Sequence, residues 1–389
     1  MKLKDLKITD DLQEQIMIGR EFMDTYDEGM INFIKSQYEG VPLWMGYKNR
    51  EEMMCKAAYD YWVYGFTPEQ QFYFRLYEKN HEQKKEYLTV KTEFIYKARL
   101  NSSNSQEILE DKFEAYRLFK SYYKREMIKI NGVEDYESFL DFISRHPKFI
   151  LKPVGLSNTR GIEVVDSLLY ENKEELFETF INVASNYKHD YMVNAGIYEG
   201  AVLEELIVNQ EEQFGIFSPK SINVIRIPTI RLDDRIIPYG AYYKVGVSDD
   251  IVVGEAKEGI MCGIDCHTGI VNTDGITERG EEYVYHPISG IKFKGHQVPR
   301  WNEMIEMVSE IALKLPKNVN YAGWDVVLTS DKGWVLVEGN YWGQIFIQLV
   351  EKRGCAREFG DLIGWHMEEG KFWWQYKLKQ VNKSAGIGE

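Results

Sequence analysis

Residues 321–340 read YAGWDVVLTSDKGWVLVEGN, two apolar runs around Ser330-Asp331-Lys332-Gly333. Asp and Gly between β-branched segments mark a hairpin. With those four residues as the loop, Thr329 faces Trp334, and the same register sets Asp325 opposite Glu338. Directly opposed residues of an antiparallel pair share one face. Asn340, two residues beyond Glu338, shares it too. Two carboxylates and an amide oxygen therefore converge in apolar surroundings. Like charges so placed repel, and buried carboxylates need a partner. A hard divalent cation such as Mg²⁺, completed by phosphate oxygens, is one such partner. An acidic strand pair facing solvent, or one protonated carboxyl, is the alternative. A one-residue slip would put the two acids on opposite faces.

The chain around this hairpin has 389 residues, 44% hydrophobic, 28% charged and 14% aromatic. That suits a folded protein of two or three domains rather than a disordered one. A net charge of −14 argues against nucleic-acid partners and an anionic membrane surface, while leaving room for a local basic pocket. Cys262, Cys266 and His267 hint at zinc, but no second Cys/His cluster completes a site, so reduced structural cysteines are expected. The polar N-terminus does not read as a signal peptide. No window approaches the roughly 18 apolar residues of a membrane span. A cytoplasmic location is expected.

Residues 1–125 read as mainly helical. Leu12, Ile16, Ile18, Phe22 and Met23 fall near helical spacing, and Thr67-Pro68-Glu69-Gln70 resembles a capped start with proline at its first position. The aromatic group Phe72, Tyr73, Phe74 and Tyr77 is expected to pack internally. Lys112, before another helical pattern, is unremarkable alone.

From Lys148 the period changes. A strand ending at Lys152 and one over Ile162–Asp166 bracket the loop Gly155 to Gly161, in which Ser157, Asn158 and Thr159 add donors. Such a loop suits phosphates, although an ordinary hairpin loop has the same composition. Residues 172–186 read as a helix. Val202–Val208 reads as a strand with Glu204 and Glu205 inside it: edge-strand charge, or a hinge whose main chain meets a purine edge. In residues 221–231, Asn223, Arg226 and Thr229 interrupt β-branched residues. A buried Arg suits a phosphate or a neighbouring acid. Residues 240–247 read as a strand and 248–261 as a mobile flap. His286 reads as a substrate contact or a satisfied structural histidine. Trp301–Leu315 reads as an amphipathic helix. After Gly343 the pattern is helical again, with a polar, disordered tail over 382–389.

In order, Lys152-Pro153 with Gly155 to Gly161, Glu204 to Ile207, Ser221 to Arg226, His286-Pro287-x-x-Gly290, Pro299-x-Trp301, Gly323-Trp324-Asp325 and Glu338-Gly339-Asn340 resemble the sugar-transfer-associated group of the ATP-grasp superfamily. The resemblance covers roughly residues 110–350. It implies an α+β fold in which two subdomains, about 148–208 and 214–350, clamp a nucleotide. A mainly helical region (1–110) would precede this domain (111–350), and a helix with a polar tail (351–389) would follow it. The cofactors implied are ATP and Mg²⁺. Lys112 and Lys152 would bind α/β-phosphates, with Gly155, Ser157, Asn158, Thr159 and Gly161 over the triphosphate. Glu204, Glu205, Leu206 and Ile207 would line adenine, and Asp325, Glu338 and Asn340 would hold Mg²⁺. Arg226 would hold the γ-phosphate or acyl phosphate, with Asn223 nearby. Members often carry Gln-His-Pro after the hinge strand. Here Gln210-Glu211-Glu212 stands there, leaving the ribose acid open.

The activity implied is carboxylate–amine (or carboxylate–thiol) ligation through an acyl phosphate, beside cell-surface polysaccharide synthesis. Its partners would be a small carboxylate and an amine-bearing acceptor such as a sugar or amino acid. A kinase acting on a hydroxyl and a non-catalytic nucleotide-binding module are the alternatives.

Overall fold

The computed structural model describes residues 3, 6–44, 46–102, 105, 107–155, 161–182, 200–247, 259–341, 343 and 346–376. The tip of the Gly155–Gly161 loop (156–160), most of the 248–261 segment and the polar tail lie outside them. The chain divides into two compact units. One comprises Met1–Arg99, Glu278–Gly280 and Ile347–Lys379; the other includes Leu100–Thr277 and Glu281–Phe346.

The first unit is helical. Its elements are α1 (Leu12–Met23), α2 (Glu28–Gln37), α3 (Arg50–Tyr64), α4 (Pro68–Tyr73), α5 (His81–Lys85) and α6 (Val90–Leu100), the last running one residue past this unit. Side chains of Asp11, Asp27, Asn49 and Asn80 accept from backbone N–H groups in the first turns of α1, α2, α3 and α5. α4 starts with Pro68 behind a Thr67 capping box. α1 and α3 touch backbone to backbone, because a Cβ on Gly19 would lie 1.8 Å from the Cys55 carbonyl oxygen. The expected aromatic packing is present: Trp44 stacks on Tyr77 with centroids 4.2 Å apart. Gln348 joins the late segment to the early one, its Oε1 accepting from Leu88 N and its Nε2 donating to Leu88 O, both at 2.8 Å.

The second unit holds two antiparallel sheets. The smaller has the order β1-β4-β2-β3, from β1 (Met127–Ile130), β2 (Lys148–Pro153), β3 (Glu163–Asp166) and β4 (Ala201–Glu205). β4 lies inside this sheet, so the charges of Glu204 and Glu205 are not those of an edge strand. The strand also stops at Glu205 rather than reaching Val208. Two helices, α9 (Tyr136–Arg145) and α10 (Lys173–Ile181), supply Phe139, Phe142, Phe177 and Phe180 to a core shared with Phe149 and Leu203.

The larger sheet runs β10-β9-β8-β7-β5-β11-β12, with β6 beside β5; β6 (Arg235–Pro238), β9 (Gly275–Ile276) and β10 (Glu282–Tyr283) are its short strands. Its central strands are β5 (Val224–Leu232), β7 (Tyr242–Gly246), β8 (Gly259–Gly263), β11 (Tyr321–Thr329) and β12 (Gly333–Asn340). The helix Trp301–Lys314 buries Trp301, Met304, Met307, Val308, Ile311 and Ala312; of the face expected from the sequence, Val308, Ile311, Ala312 and Leu315 are buried and Ile305 is half-buried. After the short α7 (Glu107–Glu110), helix α8 (Lys112–Tyr123) sets Phe119 edge-on against Trp324, 5.5 Å between centroids.

The hairpin differs from the sequence expectation in one respect. Thr329 pairs with Gly333 and Leu328 with Trp334, so the loop has three residues, Ser330 to Lys332. That register would put Asp325 opposite Val337. A bulge intervenes: Val326 pairs with Leu336, but Asp325 pairs with Glu338. Val337 is the extra residue, and it restores the opposition of the two acids.

Candidate active site

Four strands carry one row of side chains. Tyr242 on β7 lies opposite Arg226 on β5, Arg226 opposite Asp325 on β11, and Asp325 opposite Glu338 on β12. Opposed residues share a face, so this row presents a phenol, a guanidinium and two carboxylates side by side. Lys244, two residues beyond Tyr242, faces the same way.

Arg226 and Asp325 form a buried bidentate pair: Nε donates to Oδ1 and Nη2 to Oδ2, the latter at 2.7 Å. Burial alone would push the Asp325 carboxyl up, but Arg226 and then Lys244 more than offset this and hold it below the usual range. Burial likewise works against the Arg226 charge, and Asp325 outweighs it. The acid-pairing alternative for Arg226 is thus realised, with one of the expected metal ligands as partner.

Lys112 stands at the start of α8, whose cap is Asp111. Its Nζ lies 3.6 Å from Glu338 Oε1 and donates to the Val154 carbonyl at 3.5 Å. It thereby spans the end of β2 and the face of the large sheet. Burial draws its ammonium below the ordinary value; Glu338 opposes that and Lys152 adds to it. Lys152 reaches Glu204, Nζ to Oε2 2.6 Å. Glu204 faces Ile150, two residues from Lys152, so both point the same way. Burial would raise the Glu204 carboxyl, yet Arg125 and Lys152 together lower it.

Arg125 is a component the sequence reading missed. Buried, it donates through Nε to Glu204 Oε1 at 2.5 Å, through Nη1 to the carbonyls of Tyr123 (3.1 Å) and Leu336 (2.5 Å), and through Nη2 to the carbonyl of Val337 (3.2 Å). Leu336 and Val337 are the bulge. In the sequence Lys124-Arg125-Glu126 resembles ordinary surface charge between a helix and a strand. Lys244 is a second such residue, and its signal is a lysine between Tyr243 and Val245 in an apolar strand.

Beyond Glu205 the chain leaves the sheet. The N–H and carbonyl groups of Leu206 and Ile207 make no backbone–backbone hydrogen bond among the described residues. These two residues, with Glu205, Val208, Asn209 and Lys332, line a cavity of about 50 Å³. Lys332 closes over it, its Nζ 2.9 Å from Glu205 Oε1.

The remaining expected residues fall elsewhere. The amide of Asn223 serves the loop before β5: its Nδ2 donates to Gln210 Oε1 at 3.1 Å and to the Ser218 carbonyl at 2.9 Å, while its Oδ1 is buried with no hydrogen-bond partner. No hydrogen bond joins it to Arg226 among the described contacts. Gln210 is consumed in that loop, donating to the Ser221 carbonyl at 2.6 Å. Glu211 caps Phe214 N at 2.7 Å. Glu212 is exposed. Gly161 has a left-handed backbone, φ 70°; Gly155 is described, but Ser157, Asn158 and Thr159 lie outside the described residues. His286 is structural: Nε2 meets the Gly246 carbonyl at 2.9 Å, and Nδ1 faces Ser289 Oγ at 3.2 Å. Cys262 is fully buried and its thiol is pushed up by burial. No zinc cluster forms with Cys266 and His267 among the described residues.

Asp325, Glu338 and Asn340 suit a hard divalent cation. All three offer oxygen, and Glu338 remains partly open to solvent. The Asn340 Nδ2 is buried with no hydrogen-bond partner, and a phosphate oxygen would satisfy it. Among the described residues no three His, Cys, Asp or Glu side chains form a metal cluster, so a cation here would need oxygens from a bound phosphate.

No curated protein matches the chain. Among solved structures it is similar to the ATP-grasp ligase PsnB complexed with a minimal precursor, at 13% identity and TM-score 0.38, over 68% of this chain and 63% of that one. The L-amino acid ligase from Bacillus licheniformis is similar at 14% identity and TM-score 0.34, over 64% and 48%. D-alanyl-alanine synthetase A from Vibrio cholerae is similar at 10% and 0.37, over 66% and 63%. The chain thus spans less than two thirds of each, and such distant likenesses fix neither reaction nor substrate. The family model described as sugar-transfer associated ATP-grasp matches residues 91–360, well over half of the sequence. No helix among the described residues is long and apolar enough to cross a membrane. By that match, the chain belongs to the sugar-transfer associated ATP-grasp family.

Proposed function

We propose that this protein is an ATP-dependent ligase that activates a carboxylate as an acyl phosphate and passes the acyl group to an amine or thiol. One observation carries the reading: Arg226, Asp325 and Glu338 stand abreast on one sheet face with the Lys112 ammonium beside Glu338. This is a mixed field of fixed charges suited to a polyphosphate.

Lys112 and Lys152 bind phosphate oxygens of ATP, and the main chain of Leu206 and Ile207, without a backbone partner among the described residues, meets the purine edge. Glu212, the exposed one of the two acids after the hinge, takes the ribose hydroxyls. Asp325, Glu338 and Asn340 would hold Mg²⁺, which supplies charge neutralisation at the phosphates. A substrate carboxylate oxygen attacks the γ-phosphorus; the new O–P bond forms as the bond to the β,γ-bridging oxygen breaks and ADP leaves. The nucleophile then attacks the acyl carbon, phosphate departs, and the nucleophile's proton passes to solvent. Arg226 offsets negative charge on the transferring group. Phosphoryl transfer needs chiefly positioning and electrostatic stabilisation, so no nucleophilic Ser or Cys is required. The family's association with sugar transfer supports a sugar acid, or an amino acid joined to a sugar, as substrate.

The test is a screen of sugar acids and amino acids for ADP and inorganic phosphate release, with Lys152→Ala as the blank. A ligase releases both products only when carboxylate and nucleophile are present together. ADP without phosphate would indicate a kinase, and no ADP with any pair would indicate a non-catalytic module.

A further inference from the structure

The helical unit contains a buried charge imbalance next to its large cavity. Asp60 is fully buried between two lysines that are themselves only 3% and 2% exposed, Lys56 and Lys84. Lys56 Nζ contacts Asp60 Oδ2, and Lys84 Nζ lies 3.1 Å from Oδ1. Two ammonium groups thus share one carboxylate. Their remaining company is aromatic: Lys56 lies 5.8 Å from the Tyr59 ring centroid and Lys84 5.7 Å from that of Tyr64. Burial pushes the Lys56 ammonium below its ordinary value; Asp60 opposes this and Lys84 adds to it. An ion removed from water costs several kcal/mol unless compensated, and here one positive charge is left over.

Lys84 borders a cavity of about 530 Å³, walled by Tyr64, Tyr96, Phe372 and Trp373. That volume falls in the range of roughly 300–1,000 Å³ typical of small-molecule sites. The other cations at its rim already have acids of their own: Lys85 with Glu82, Arg357 with Glu86 and Lys371 with Glu368. Lys84 is thus the lining cation that shares its acid with a second lysine; Glu369 is the one lining carboxylate outside these pairs.

We propose that this cavity binds a small anion, a carboxylate or phosphate monoester carried on a ring, with Lys84 as its counter-ion and the aromatic walls against the ring. The bound anion restores charge balance to the triad. The site is separate from the nucleotide machinery and does not depend on it.

The experiment measures melting temperature and calorimetric binding for the full chain with glucuronate, glucose 6-phosphate, benzoate and phenyl phosphate. Glucose and benzamide are the uncharged controls. At least one anion should bind at about 1 mM or tighter, the uncharged controls should not, and binding should survive Lys152→Ala, which separates this site from the phosphate lysines. The carboxylate and phosphate arms show which head group is preferred. Lys84→Met leaves a balanced Lys56–Asp60 pair, so it should raise the ligand-free melting temperature while weakening anion binding about tenfold or more. Phe372→Ser should weaken binding of the ring anions with the ligand-free melting temperature little changed. The proposal is overturned if no anion binds, if binding is indifferent to both variants or is lost in Lys152→Ala, or if Lys84→Met lowers stability or fails to fold.

Discussion

Arg125→Met is the perturbation that probes the hairpin's geometry most directly. Methionine retains much of the buried stem but removes four hydrogen bonds, to Glu204 and to the carbonyls of Tyr123, Leu336 and Val337. Removing one partner of a buried ion pair costs about 3–5 kcal/mol. Lys152 stays on the other Glu204 oxygen at 2.6 Å, which places the expected loss near the lower end, about 3 kcal/mol. For a unit of this size each kcal/mol corresponds to roughly 2–4 °C, so the melting temperature should fall by roughly 6–12 °C. A second effect is separable from stability. Without Arg125 the bulge loses its anchor, and the turn's own register would carry Glu338 to the other face of the sheet. Magnesium should then no longer strengthen ADP binding as it does in the wild type, while metal-free ADP binding changes less. Urea unfolding followed by tryptophan fluorescence gives the first quantity, and calorimetric titration with ADP, with and without Mg²⁺, gives the second. A variant that loses under about 1 kcal/mol and keeps the full magnesium effect would refute this account of Arg125.

Three further outcomes follow from the same geometry. The folded-state carboxyls of Asp325 and Glu204 lie below their ordinary values, so their stabilisation is complete above the unfolded values of roughly 3.9 and 4.3 and is lost as pH falls through that range toward the folded values. The urea midpoint should drop on acidification, and the stability gap between wild type and Asp325→Asn should narrow; a constant gap from pH 7 to about pH 3 would contradict the pairing. Gly333→Ala should cost about 1–2 kcal/mol because φ is 67° there, with Gly333→Asn costing less; equal urea midpoints for all three would argue against the three-residue turn. Lys332→Ala removes the contact between Lys332 and Glu205, both partly exposed, so stability should change by about 1 kcal/mol or less. ADP should associate faster by stopped flow, and a slower association would count against a closing role for Lys332.

Much of this arrangement is legible in residues 321–340, but by a compensating route. The turn chemistry of Ser330 to Gly333 announced the hairpin, and the opposition of Asp325 and Glu338 is present. It arises from a loop one residue shorter than the sequence suggested together with a bulge at Val337. Nothing in Leu336-Val337-Glu338 signals a bulge, because its anchor is a guanidinium more than two hundred residues away in sequence. The same distance hid Arg125 itself. Arg226 was legible as a buried charge but its partner was not, since strand order decides which acid lies opposite. Asn223 sits only three positions from Arg226, yet its hydrogen bonds go to the preceding loop, where Gln210 gathers the chain. Short-range spacing could not distinguish the two destinations.

The Gln348 clasp on Leu88 has a consequence for how the molecule is made. Its two partners are separated by 260 residues, so at about 5–20 residues per second the ribosome delivers the later one roughly 13–50 s after the earlier. Throughout that interval the first helices are out in solution without the segment that completes their core. They are a part of the nascent polypeptide whose core closes late, and a chain stopped shortly before Ile347 would leave that unclosed core open to proteases.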